Sequence, residues 1–130
     1  MDTQEEHHSD SDIDLAFRPW RASHRAASVV LGIIAIAHTV MTAVLYSEWT
    51  PNAVWFLGTG MGLLLLAVMN FAHVGLGPCT MPTAPVVCVA NWGFFLFSIG
   101  ALVAVPEPQA GVIVIALLVQ AIASQKTLRG

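Results

Sequence analysis

Charge is what this chain has least of. Charged residues make up 10% of it, where a soluble domain carries roughly 25%, and between Ala26 and Leu128 they are only Glu48, Glu107 and Lys126. No Asp or Glu falls inside an apolar run, which makes proton-coupled export of a cationic substrate, of the kind that uses a membrane-embedded glutamate, a poor reading. Cysteine is nearly absent too. Cys79 and Cys88 are the only two, nine positions apart rather than in a CxxC pair, so disulfide chemistry is not expected. One lies in a predicted turn and the other inside a predicted helix, which argues against a structural disulfide. There is no Ser-His-carboxylate set, no metal-binding cluster, no phosphate loop and no basic face for nucleic acid. The chain reads as a non-enzyme with no cofactor or metal, and any catalysis would have to be cofactor-borne.

What is present is apolar length. Four runs of about 20 residues match the roughly 30 Å hydrocarbon layer at about 1.5 Å of helical rise per residue. They predict helices over about Ala26 to Tyr46, Ala53 to Val74, Thr83 to Val105 and Ala110 to Thr127. Pro51, Pro82, Pro106 and Pro108 lie at the joints, and Pro85 lies in the first turn of the third helix, where a missing amide donor costs least. Trp20, Tyr46, Trp49 and Trp55 flank the boundaries, as interfacial aromatics do. Connections this short force an all-α, up-down-up-down four-helix bundle in the membrane, with no internal repeat of the inverted-transporter kind. Residues 18–130 form this domain.

Six of the eight acids fall in the first fourteen residues. Residues 1–17 therefore read as a disordered acidic tail, too poor in apolar surface to offset its ordering entropy. An acidic N-terminus followed by a late first apolar run is not a signal peptide, so the first helix is expected to remain in the protein. All five basic residues (Arg18, Arg21, Arg25, Lys126 and Arg129) fall on one side of the predicted bundle, and Glu48 and Glu107 on the other. The positive-inside rule then places both termini in the cytoplasm.

The few polar side chains inside the spans recur at helical spacing and should face one another, because lipid offers them no partner. They are His38 and Thr42 on the first helix, Thr59 and Asn70 on the second, Asn91 and Ser98 on the third, and Gln120 on the fourth. By helical rise His38 sits at about the depth of Thr59 and Ser98, and Asn70, Asn91 and Gln120 form a lower tier. Interhelical hydrogen bonding is the plain reading of all seven. Ligation of a metal or haem by His38 is the sharper one. His73, the other histidine in a predicted span, lies roughly 20 Å lower, which disfavours a haem between the two. The run Gly58, Thr59, Gly60, Met61, Gly62 holds a GxxxG spacing, read either as tight packing within the chain or as a homodimer face.

Two stretches carry a resemblance. Ala53 to Asn70, AVWFLGTGMGLLLLAVMN, and Val105 to Ala110, VPEPQA, resemble a group of small uncharacterised bacterial membrane proteins with four helices and a histidine in the first. The likeness covers about Val29 to Ser124, excludes the tail, and implies the fold and a bacterial inner membrane. Three functions stand open. The first is an accessory or assembly subunit, packed in the lipid bilayer against itself or a larger membrane complex. The second is a carrier or pocket for a small apolar or weakly polar molecule inside the bundle. The third is a cofactor-bearing redox protein.

Overall fold

The structure, a computed structural model, describes the backbone of residues 3–76 and 83–128 and the side chains of residues 19–75 and 83–126. Among the described residues all regular structure is α-helical, in four helices: α1 (Thr3–Leu45), α2 (Pro51–Leu76), α3 (Ala84–Ala104) and α4 (Pro108–Leu128). Each contains a segment long and apolar enough to cross a membrane: Pro19–Leu45, Pro51–Gly75, Ala84–Ala104 and Pro108–Lys126.

The largest difference from the expected layout lies in α1. The acidic composition predicts a disordered tail, whereas the helix runs unbroken from Thr3. Residues 3–18 contain neither glycine nor proline, the two residues least compatible with a helix interior. Pro19 sits inside the helix, where it cannot donate to the carbonyl four residues back. It marks the start of the apolar segment, more than a turn before the predicted start at Ala26.

The other boundaries follow local chemistry. Thr50 caps α2, its hydroxyl oxygen accepting the Ala53 amide at 3.2 Å, with Pro51 at the first helical position. At α4 the Glu107 carbonyl accepts the amides of Ala110 at 3.0 Å and Gly111 at 3.4 Å, and Pro108 opens the helix. Pro85 occupies the first turn of α3. Pro82 and Cys79 lie outside the described residues.

Packing is uneven around the bundle. Helix α1 packs closely on α2 and on α4, α3 packs on α4, and of these neighbouring pairs α2 and α3 touch least. At mid-height Leu31 and Ala35 of α1, Leu63, Leu66 and Ala67 of α2, and Ala116 and Leu117 of α4 form one buried apolar cluster. Among the described glycines, Gly60 is the most tightly hemmed in. A Cβ there would stand 2.5 Å from Thr39 Oγ1 and 3.1 Å from the Thr39 backbone nitrogen, so α1 lies against α2 at a distance only glycine permits. The outer faces carry large apolar side chains, among them Val44, Leu65, Val89, Val103 and Ile115, while His24, Asn70, Asn91 and Gln120 are fully buried. Apolar outside and polar inside is an arrangement compatible with a multi-pass membrane protein.

The ends of the bundle are distinguishable by contact. Trp20 of α1 lies under the Lys126 ammonium of α4, 5.9 Å from nitrogen to ring centre. At the other end Tyr46 meets Phe56 at a ring separation of 5.9 Å. These are called below the terminal end and the turn end.

Candidate functional site: a polar network and an apolar cleft

Near the terminal end every helix contributes to a shared hydrogen-bond network, α1 with two residues and the others with one each. The inner face of α1 presents His24, Ser28, Leu31 and Ala35, all buried, at the three- and four-residue spacing that keeps side chains on one side of a helix. From α2 comes Asn70, from α3 Asn91 and from α4 Gln120. The Asn70 and Asn91 side-chain amides pair reciprocally, each Nδ2 donating to the other's Oδ1 at 2.8 Å. Asn70 Nδ2 also donates to its own helix at Leu66 O, 2.8 Å, and reaches Gln120 Oε1 at 3.3 Å. Gln120 Nε2 donates to Ser28 Oγ at 3.0 Å, and Ser28 Oγ donates in turn to the His24 carbonyl at 2.8 Å. The circuit closes through His24 Nε2, 2.6 Å from Asn70 Oδ1. An amide oxygen only accepts. His24 Nε2 therefore carries a proton, and in the neutral imidazole Nδ1 bears a lone pair.

That lone pair has no hydrogen-bond partner among the described residues, and neither has the buried Nδ1 of His73. The two imidazole centres stand 6.3 Å apart, with the rings tilted by 54°. Among the described residues there is no group of three or more His, Cys, Asp or Glu that could hold a metal ion. Cys88 is half-buried with a free thiol.

Toward the turn end, where α2 and α3 diverge, a cavity of about 670 Å³ opens between them and α4. Its wall includes Gly58, Thr59, Gly93, Phe97, Ser98 and Leu117. Side chains added at Gly58 or Gly93 would meet nothing within 4 Å, so these two glycines keep the space open. Besides the Trp55 indole at its rim, the wall carries two hydroxyls whose protons point back to their own helices: Thr59 to Trp55 O at 2.9 Å and Ser98 to Phe95 O at 2.7 Å. Their outward lone pairs can accept but, in this arrangement, not donate.

The seven polar residues singled out from the sequence thus fall in four places. Asn70, Asn91 and Gln120 join the network. Thr59 and Ser98 face the cleft. Thr42 donates to the His38 carbonyl at 3.0 Å and lines a smaller cavity of about 290 Å³ beside Tyr46 and Trp49. His38 lies flat on Phe56, with ring centres 3.6 Å apart and an 18° tilt. The glycines divide as well: Gly60 seats α1, while Gly58 and Gly62 line the cleft. His24 is the residue that sequence reasoning missed. The signal was its position four residues before Ser28 and seven before Leu31, two residues outside the helix as drawn from hydropathy. Compared with known protein families, characterised proteins and solved structures, the chain matches none.

Proposed function

We propose that this chain is a non-enzymatic integral membrane protein, an up-down-up-down bundle in a bacterial inner membrane with both termini cytoplasmic, which holds a mostly hydrocarbon small molecule in the cleft between α2, α3 and α4. The observation that carries this reading is the cleft itself. Its volume of about 670 Å³ lies in the range of small-molecule sites, which are largely apolar with a few placed polar groups. The two hydroxyls on its wall favour a guest whose polar end is a hydrogen-bond donor, such as an alcohol on an acyl or isoprenoid chain. The inside-out distribution of polar residues and the one-sided Lys and Arg support the membrane setting and the orientation.

The test is to purify the wild-type chain and Gly93→Leu in the same mild detergent, then analyse native mass and organic extract. Leucine at position 93 grows into empty space, so the variant should keep its thermal midpoint and carry several-fold less guest. Equal amounts of extractable molecule on both proteins, or none on either, would sink the reading.

The sparse contact between α2 and α3 favours a second reading, an accessory subunit whose open edge receives a helix of a larger membrane complex. Native mass spectrometry of the natively expressed assembly separates the two. A stoichiometric partner supports the subunit, and a lone chain carrying a small molecule supports the pocket.

A further inference from the structure

We infer that His24 and His73 form a site for a monovalent soft metal cation, Cu(I), bound between their two Nδ1 atoms at the terminal end of the bundle. Both residues are more than nine-tenths buried, and neither Nδ1 has a hydrogen-bond partner among the described residues. A buried ring nitrogen normally finds a donor or a Lewis acid. Their ring centres are 6.3 Å apart. Two metal–imidazole bonds of about 2.0 Å, with the radii of two five-membered rings, set a spacing of about 6 Å when one ion bridges two imidazoles.

The surroundings of His24 are those of an oriented ligand. A metal-binding imidazole donates its other N–H to a fixed acceptor, which sets tautomer and ring angle. His24 Nε2 does so toward Asn70 Oδ1 at 2.6 Å, and Asn70 is itself pinned by Leu66 O and by Asn91.

The pair offers two neutral imidazoles, and no third His, Cys, Asp or Glu joins it among the described residues. Zn(II) takes four ligands. Cu(I) carries one charge, suits neutral imidazole and accepts linear two-coordination. Haem is excluded by the fit, because His24 is fully enclosed and its Nε2 is already committed to Asn70.

The experiment uses the full-length chain in detergent with Cys79→Ser, Cys88→Ser, His7→Ala and His8→Ala, so that its remaining histidines are His24, His38 and His73. Under anaerobic reducing conditions Cu(I) is offered as its bicinchoninate complex, and transfer is read from the loss of that colour. One equivalent should move to the protein, and the copper K-edge spectrum should report two nitrogen ligands. His73→Gln should weaken uptake at least tenfold, and His38→Ala should leave it unchanged. No transfer to the parent chain, sulfur in the copper shell, or equal uptake by a folded His73→Gln would overturn the assignment. Should His73→Gln fail to fold, the ligand set in the parent spectrum decides alone. Neither readout depends on the cleft or its guest.

Discussion

Asn70 bonds to three other side chains from three different helices, His24, Asn91 and Gln120, and its chemistry is not interchangeable with its shape. Asn70→Ala strands the His24 Nε2–H and the Asn91 amide in a buried setting, at roughly 1–3 kcal/mol for each group left unpaired. We expect a thermal midpoint in detergent well below wild type. Asn70→Asp keeps the outline but puts an oxygen where Nδ2 now faces Leu66 O, Asn91 Oδ1 and Gln120 Oε1. It should be at least as damaging, and a wild-type midpoint for Asn70→Asp would show that the site is held by volume alone. His38 contrasts with this. Its contact is a stacked ring on Phe56, so His38→Phe should shift stability by less than about 1 kcal/mol. The sequence showed that Asn70, Asn91 and Gln120 share a depth, because helical rise is arithmetic. It did not show that His38 and Thr59 face different neighbours, because rotation about a helix axis is set by packing.

At the scale of the element, the glycine-rich stretch of α2 shows what spacing can and cannot reveal. Gly58 and Gly62 are four apart and share a face, which is what a GxxxG reading detects. Gly60, between them, points to the opposite face, and there α1 comes close. Gly60→Ala should therefore push α1 from α2 and cost about 1–3 kcal/mol by overpacking. Gly100→Ala, whose Cβ would meet nothing within 4 Å, should leave thermal unfolding unchanged. If both variants unfold alike, the close approach is not what seats α1. The start of α1 escaped hydropathy for a related reason. Arg21 and Arg25 interrupt the apolar run, yet His24 lies between them on the inward side, and an average over a window cannot distinguish the two faces.

For the whole molecule, the count of four helices long and apolar enough to cross a membrane was legible because length and apolarity suffice for it. The uneven packing was not, since the wide separation of α2 and α3 depends on pairwise fit that no single run encodes. Orientation remains a matter for labelling. In a chain with Cys79→Ser and Cys88→Ser, single cysteines at Ser47 and Gln109 should react with an impermeant maleimide added to intact cells. A cysteine at Ser11 should react only after lysis, and labelling of Ser11→Cys in intact cells would reverse the assigned orientation.

The four amide-bearing and hydroxyl-bearing side chains that knit all helices together sit near one end, while the edge between α2 and α3 is slack toward the other. Such a body works like tongs. Displacement of α2 from α3 grows with distance from the Asn70–Asn91 pivot, so the tips near Trp55 and Ala101 can part without any hydrogen bond in the knot being broken.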